Sequence, residues 1–310
     1  MDYRKFLCEV KEQIQIKMGT GYEVAIRKVA KNNGVILDGL SVNRKTENLA
    51  PVVYLNSYYE QLGNHMTLSE IIDDILLIYK KFMMGPMHTA EDLTDFAYLR
   101  DKVVFKLIQA DSNRELLADT PNVAFLDMAI VFYLLLDQSE MGQMTALIHN
   151  SHLGIWNTTE EELYRLAKIN TPKLLPAKIK TMQEVIYEML MKQFGELSEA
   201  GIIGELLEEM PDKSPLYVLT NHYETCGAGC ILYEGCLEEF AKEKEADIII
   251  LPSSIHEVLL TIDRGDLDYE ELEEMVKQIN KAEVPVEDIL SNQIYRYSLG
   301  EGRISIVSTQ

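Results

Sequence analysis

The sequence has no long apolar run: no stretch reaches the ~18–20 consecutive apolar residues that a helix needs to cross a bilayer. Its first nine residues, Met1–Glu9, are too polar and too acidic for a secretory signal peptide. We therefore predict a cytoplasmic protein that makes no contact with the membrane.

Cysteine is also scarce, with four residues in a chain of 310: Cys8, Cys226, Cys230 and Cys236. Disulfide frameworks belong to cysteine-rich chains in oxidising compartments, so we expect these four residues to be free thiols. Packing must then stabilise the fold. A chain of this length with 47% apolar residues can form one large core or two to three modest ones.

Basic residues are few beside acidic ones: 29 lysines and arginines stand against 50 aspartates and glutamates, a formal net charge of −21. A surface this negative repels phosphate backbones, which disfavours direct nucleic-acid binding. A protein partner is expected instead, and a basic one is electrostatically easier. The same charge leaves open an acidic mimic of DNA that would occupy a nucleic-acid-binding protein, although acidic surfaces mostly serve solubility.

Three segments share the pattern of an apolar strand, a polar loop and a capped helix. The helix starts are Thr67–Glu70, Thr159–Glu162 and Asp268–Glu271. In a capping box of this kind the first side chain accepts a hydrogen bond from the third helical N–H, and the glutamate reaches back to the N–H of the cap. Apolar residues follow four and seven or eight positions after each cap, so each helix has one face to pack on a sheet. The preceding strands are predicted at Val52–Asn56, Thr145–Asn150 and Glu257–Ile262.

The fold class that these patterns favour is α+β, with antiparallel or mixed sheets flanked by amphipathic helices in three diverged strand–loop–helix units. A coincidence of three common capping boxes would explain the pattern as well. The predicted divisions are residues 1–85, an N-terminal helix with a hairpin and a helix unit; residues 86–205, a central unit around the buried apolar strand Phe125–Leu136; and residues 206–310, a C-terminal α+β unit.

Shorter signals complete this prediction. Asn32–Gly34 predicts a hairpin turn, and Met84–Met87 a linker. A long helix is predicted near Leu93–Ala110 and a break at Thr171–Pro176. Further elements are a strand at Leu216–Asn221 paired with a strand at Cys230–Tyr233, a strand at Asp247–Leu251 paired with Glu257–Ile262, and helices at Met182–Gly195, Gly204–Met210 and Cys236–Lys244.

Short motifs along nearly the whole chain resemble one protein family. In order they are Asn48–Pro51, Val53–Asn56, Tyr58–Glu60, Phe125–Asp127, Asn170–Pro172, Tyr217–Asn221, Gly227–Ala228, Ile250–Glu257 and Leu290–Ser291. Together they look like the bacterial domain-of-unknown-function family numbered 5688. The resemblance implies a stand-alone bacterial cytosolic protein; it implies no reaction, substrate or partner, because none is established for that family.

The turn Pro252–Glu257 has the residue types of a hydrolase site. Ser253 and Ser254 offer hydroxyl nucleophiles, His256 offers a base, and Glu257 beside it could tune the imidazole. Cys226 is a further candidate nucleophile for His256. The sequence lacks a Gly-x-Ser-x-Gly elbow, however, and serines in such turns commonly cap backbone N–H groups while the histidine bonds a carbonyl, so we favour a structural role.

Soft metal ligands lie nearby: His222, Cys226 and Cys230 have spacings that only just fit a zinc site. Because free cysteine is often a small buried hydrophobe, we favour packing roles for the two thiols and expect neither metal nor cofactor. We therefore expect a non-catalytic protein-binding or regulatory module. The alternative is a hydrolase that uses Ser253, Ser254 or Cys226 with His256, and the second alternative is the acidic DNA mimic.

Overall fold

The computed structural model describes residues 1–44, 51–84, 92–139, 142–194, 216–252 and 254–307. Its fold is α+β, with three antiparallel sheets interleaved with helices, which confirms the predicted class. None of the helices in these ranges is both long and apolar enough to span a bilayer. The predicted linker Met84–Met87 and helix Gly204–Met210 lie mostly or wholly outside the described residues.

The first sheet has the order β1-β2-β3, and the predicted hairpin at Asn32–Gly34 joins its first two strands. Its elements are α1 (Tyr3–Met18), β1 (Tyr22–Ala30), β2 (Ile36–Arg44), β3 (Val52–Tyr54), α2 (Leu55–Gln61) and α3 (Leu68–Met84). Helix α1 buries Phe6, Val10 and Ile14, one residue in every four, against this sheet. Strand β3 ends two residues before the predicted limit because α2 begins at Leu55.

The second sheet has the order β4-β6-β5, with β7 also paired to β6. Its elements are α4 (Phe96–Leu99), β4 (Val103–Gln109), α5 (Arg114–Asp119), β5 (Asn122–Phe125), β6 (Met128–Ser139), β7 (Gly142–Leu147), α6 (Asn150–Trp156) and α7 (Glu160–Leu174). The run Phe125–Leu136 is extended, as predicted, but it begins with a turn: Leu126 takes a φ of 56°, so β5 and β6 form a hairpin.

One prediction for this region is wrong, and another is displaced. The helix near Leu93–Ala110 is instead α4 followed by strand β4, because Val103–Gln109 is apolar on both faces and pairs with the central strand β6. The break predicted at Thr171–Pro176 begins later than expected: both Thr171 and Pro172 lie inside α7, which ends at Leu174. The Thr171 hydroxyl donates to the Ala167 carbonyl at 2.6 Å, a bond that supports the last turn of the helix around the proline.

The third sheet has the order β13-β12-β10-β11-β9-β8. Its elements are β8 (Ala177–Thr181), α8 (Met182–Phe194), β9 (Tyr217–Asn221), α9 (Cys236–Lys244), β10 (Asp247–Leu251), β11 (Val258–Asp263), α10 (Tyr269–Ala282), β12 (Tyr295–Ser298) and β13 (Arg303–Ile306). The strand predicted at Cys230–Tyr233 is wrong. Residues Gly227–Leu232 form 3₁₀ turns, since three small residues, Gly227–Gly229, let the backbone pack closely against β9 and β4.

The predicted caps are present at all three helix starts. The side chains of Thr67, Thr159 and Asp268 each accept from the backbone N–H three residues on. The Glu70 carboxylate also accepts from the Thr67 N–H at 2.8 Å, which completes that box and lowers the pKa of Glu70. Each capped helix follows a strand of a different sheet, so the three units lie in three separate places in the fold.

Two hydrophobic cores dominate the interior. One consists of residues between Phe6 and Tyr79 and lies within the predicted division 1–85. The other runs from Leu99 to Tyr297 and packs the second sheet against the third, so the predicted divisions 86–205 and 206–310 share it. The three-domain division itself stays a prediction.

Several polar contacts connect the sheets, and the first centres on Asn33. Asn33, with a φ of 56° in the β1–β2 turn, donates its N–H to Asn113 Oδ1 at 2.7 Å, and the Asn113 amide returns a bond of 2.8 Å. The Asn33 amide also donates to the carbonyls of Val286 and Ile289. These bonds, which we call the asparagine junction, place the first hairpin against both other units.

The second contact is the carboxylate of Asp127, in the β5–β6 turn. It accepts from the Ser291 hydroxyl at 2.7 Å and from the Tyr295 hydroxyl at 2.5 Å, and these two residues are 1% and 0% exposed. Burial, followed by the bond to Asp127, raises the pKa of Tyr295. Two motifs of the family resemblance, Phe125–Asp127 and Leu290–Ser291, therefore meet here.

We predict that Asp127→Ala lowers the free energy of unfolding by about 2–4 kcal/mol, because it leaves two buried hydroxyls without their acceptor. Urea unfolding followed by circular dichroism measures this loss. Asp111→Ala is the matched control, since Asp111 forms an exposed ion pair with Arg114 and its loss should change stability little. Equal midpoints for the two variants would contradict the assignment.

Candidate functional site

The candidate site lies where three segments meet: the turn after β9, the turn between β10 and β11, and the chain after α10. Gly227 is the point of closest approach. A Cβ at this position would lie 2.2 Å from Thr220 Oγ1, 2.6 Å from the Asn221 nitrogen and 2.6 Å from the His256 carbonyl oxygen. Only glycine leaves room for the three backbones, so the motif pair Gly227–Ala228 is a packing requirement here.

His256 is held by hydrogen bonds on both sides of its ring. Its Nδ1 accepts the backbone N–H of Cys226 at 3.2 Å, and its Nε2 lies 3.2 Å from Asp288 Oδ1. Because Nδ1 is an acceptor, the neutral ring carries its proton on Nε2 and donates it to Asp288. The side chain is 36% exposed. We call this set, the Cys226 N–H, the His256 ring and the Asp288 carboxylate, the His256 clamp.

The backbone of the same turn is also fully engaged. The Thr220 hydroxyl donates to the His256 carbonyl at 2.8 Å, and the His256 N–H donates to Ser254 Oγ at 3.0 Å. The Ile255 N–H donates to the Asp288 carbonyl at 2.8 Å. Ser254 therefore caps the turn, as expected for a structural serine. The other serine candidate, Ser253, lies outside the described residues.

Cys226 adjoins the clamp through its backbone, and it has a φ of 54°, which is uncommon for a non-glycine residue. Among the described residues its thiol makes no hydrogen bond to the His256 ring. Burial raises the pKa of this thiol, although the ammonium groups of Lys106 and Lys31 oppose that effect. A reactive cysteine needs a lowered pKa, so the structure brings Cys226 and His256 together without activating the thiol.

Glu257, the neighbour of His256, is half-buried. Burial raises the pKa of its carboxyl group, and proximity to His256 partly offsets the increase. At neutral pH the charge of Glu257 therefore slightly lowers the stability of the folded protein. Lys178 and Glu224 also act on this carboxyl, and those two groups pair with each other at 2.7 Å.

The three candidate zinc ligands occupy different environments. The His222 side chain is exposed and packs its ring against Tyr223, with centroids 5.2 Å apart. Cys230 is fully buried in the second core, and burial raises the pKa of its thiol to about 12. In the described part of the chain, no three His, Cys, Asp or Glu side chains are grouped as a metal site would need. All four cysteines are free thiols.

Sequence reasoning missed several residues of the site. Asp288 lies 32 positions after His256, and nothing in the local sequence connects the two. Thr220 was part of a recognised motif, but its bond to the His256 carbonyl depends on the antiparallel pairing of β9 with β11. The motif Gly227–Ala228 was the sequence signal that lay close to these residues.

Fold and site together define the class: an α+β protein in which three antiparallel sheets meet at a polar junction beside His256. A family model described as a family of unknown function, DUF5688, matches residues 3–299, and the chain belongs to that family. The resemblance inferred from the motifs is thereby confirmed. Neither the curated proteins nor the solved structures contain a match to the chain.

We predict that Gly227→Ala destabilises the protein by at least ~1–3 kcal/mol, because the new methyl group overlaps backbone atoms on two sides. Gly154→Ala is the control: a Cβ there meets nothing within 4 Å, and helix α6 should gain up to ~1 kcal/mol. Thermal unfolding of both variants gives the comparison. A neutral Gly227→Ala would show that the three segments do not pack as described.

We predict that Glu257→Gln stabilises the protein at neutral pH by less than ~1 kcal/mol, because the variant buries no charge. The folded-state pKa of Glu257 is raised above 4.5. Below pH 4.5 the carboxyl group is protonated in the folded and in the unfolded protein, so it does not affect stability there. As the pH rises through the folded-state pKa, the charge increasingly destabilises the folded protein. Glu301→Gln is the control with the opposite sign, since Arg303 lowers the pKa of Glu301. Unfolding curves between pH 4 and pH 8 test the difference, and a pH-independent effect would refute it.

Proposed function

We propose that the protein is a non-catalytic binding module of the cytoplasm that recognises a protein partner through the turn at residues 221–226. The observation that carries this proposal is the arrangement of that turn: it is fixed by hydrogen bonds, and it presents two aromatic rings to solvent beside the His256 clamp. Binding surfaces of this kind combine rigid aromatic anchors with low entropy loss on association.

The rigidity of the turn comes from its own polar groups. The Asn221 side chain accepts the Tyr223 N–H at 2.9 Å and donates to the Thr225 carbonyl at 2.6 Å. The Thr225 hydroxyl donates to the Tyr223 carbonyl at 3.2 Å. Asn221 itself is fully buried at the end of β9, so the turn is anchored to the sheet. Little conformational freedom is left to lose when a partner binds.

The surface of the turn is suited to a protein. Tyr223 is 42% exposed and His222 is exposed beside it, with the two rings edge to face. Tyrosine is among the residues that contribute most to protein interfaces because it combines a large apolar ring with a hydroxyl. The net charge of −21 supports a partner with a basic surface, whose association would weaken as the salt concentration rises.

The state of the candidate catalytic groups supports the same proposal. His256 uses both ring nitrogens in the clamp, Ser254 accepts a backbone N–H, and the thiol of Cys226 has a raised pKa. A general base needs a free lone pair within reach of its nucleophile. One geometric argument favours the hydrolase alternative. The His256 ring lies between Cys226 and Asp288, as a catalytic base lies between its nucleophile and the carboxylate that orients it.

We predict that Tyr223→Ala abolishes the capture of a partner that the unmodified protein enriches from its native cells. Tyr187→Ala is the matched control, since Tyr187 is 37% exposed and belongs to α8, outside the turn. Capture with each variant at low and high salt, followed by mass spectrometry, tests the surface and its charge dependence. Equal capture by both variants, or no protein enriched by the unmodified chain, would overturn the proposal; enrichment of a nucleic-acid-binding enzyme independent of Tyr223 would favour the DNA mimic.

A further inference from the structure

Strand β1 forms one edge of the first sheet. It is nine residues long and, in the described part of the chain, it pairs only with β2. Successive N–H groups of an antiparallel strand point alternately to its two sides, so every second residue of β1 directs its N–H and C=O away from β2. An edge of this length is a template on which another extended chain can pair.

Two hydrogen bonds show which residues of β1 face away from β2. The Val24 N–H donates to Gln15 Oε1 at 3.2 Å, so it is not bonded to β2. Asp38, the register partner of Lys28 on β2, donates its N–H to Asn56 Oδ1 at 2.8 Å and not to β1. Residues directly opposite each other are either bonded to each other or both directed outward, so Lys28 faces outward too. The outward residues beyond Val24 are therefore Ile26, Lys28 and Ala30.

Helix α1 covers only the beginning of this edge. The Gln15 side chain accepts the Val24 N–H and donates to the Tyr22 carbonyl at 3.1 Å. No hydrogen bond to the N–H or C=O groups of the outward residues is present among the residues that the structure describes. The last two of the outward residues are exposed. The backbone from residue 26 to residue 30 is therefore available to a partner.

The outer edge of β4 shows how the same fold covers a strand. The Phe105 N–H donates to the Thr171 hydroxyl at 3.1 Å, and the Asn170 amide donates to the Val103 carbonyl at 3.0 Å. Side chains of α7 thus satisfy backbone groups that have no strand beside them. In the described ranges the open part of β1 has no such cover, so its backbone groups are left to water or to a partner.

The charges along the open edge favour an acidic partner. Arg27, Lys28 and Lys31 are basic, and no acidic residue occurs between residues 24 and 37 of a chain whose net charge is −21. Lys28 pairs with the buried Asp38 at 2.8 Å. Arg27 is exposed, and neither Arg27 nor Lys31 forms an ion pair with a carboxylate of the described residues. Two positive charges are therefore uncompensated at this edge.

We propose that a partner protein adds an extended acidic segment to the sheet as a further strand beside residues 26–30, with carboxylates near Arg27 and Lys31. In strand addition of this kind main-chain hydrogen bonds supply affinity, and alternate side chains select the segment. Opposite charges on neighbouring strands stabilise the pairing, whereas a second copy of β1 would bring like charges together. This edge shares no residue with the turn at residues 221–226, and it takes a partner of the opposite charge.

Hydrogen exchange of the ¹⁵N-labelled full chain tests whether the edge is open. The amide protons of the outward residues should exchange rapidly, and those of Ala25, Arg27 and Val29, which face β2, should exchange slowly. Slow exchange at the outward residues would show that the edge is already covered and would overturn the proposal. Exchange there that slows as the protein concentration rises would identify a second copy as the occupant instead.

The probe for binding is a terminally blocked peptide of the length of β1 in which Glu and Val alternate, compared with the same peptide carrying Lys in place of Glu. The acidic peptide should slow the exchange of the outward residues, and its affinity should fall as the salt concentration rises. No slowing with the acidic peptide, or equal binding of the two peptides, would refute the assigned partner.

Variants connect peptide binding to the edge. Arg27→Glu should weaken binding of the acidic peptide about fivefold, and Lys281→Glu, an exposed position at the end of α10, should not. Ala30→Pro removes an N–H that is unbonded in the free protein, so it should melt like Ala30→Val yet bind the peptide about fivefold more weakly. Equal binding by these two variants, or by the two charge variants, would contradict strand addition at β1.

Discussion

The imidazole of His256 joins parts of the chain that are far apart in sequence. One nitrogen accepts the N–H of Cys226 from the turn after β9, and the other lies against Asp288 after α10. The backbone around it is fixed as well, through Thr220 on one side and Ser254 on the other. Gly227 must lack a side chain for these segments to approach, so the packing of the site and the hydrogen bonds of the clamp depend on each other.

The clamp also determines what lies around it. Asp288 belongs to the segment Val286–Asp288, whose neighbouring carbonyls receive the Asn33 amide, so the asparagine junction brings the first hairpin to the same place. The exposed turn at residues 221–226 ends at Cys226, whose N–H belongs to the clamp. The site therefore combines a fixed scaffold and an exposed turn within a strongly acidic protein.

Local sequence patterns predicted the elements whose signals are local. The caps at Thr67, Thr159 and Asp268, the Asn32–Gly34 hairpin and the strands β10 and β11 follow from side chains within a few residues of each other. The predictions that were wrong failed because contacts between distant parts of the chain determine those elements. Val103–Gln109 is a strand because it pairs with β6, and Cys230 lies in a 3₁₀ turn because β9 and β4 press on Gly227–Gly229. Asp288 could not be assigned to His256, since only the folded chain brings the two together.

The most direct measurement of the central claim is the tautomer of His256, from long-range ¹H–¹⁵N correlation spectra of the labelled imidazole at pH 7–8. The structure requires a neutral ring with its proton on Nε2 and an unprotonated Nδ1 that accepts the Cys226 N–H. The spectra should therefore show an Nε2–H tautomer with an acceptor-shifted Nδ1, and the Cys226 amide proton should exchange slowly. A proton on Nδ1, or a ring that averages between both tautomers with a rapidly exchanging Cys226 amide, would contradict the clamp and restore His256 as a free base.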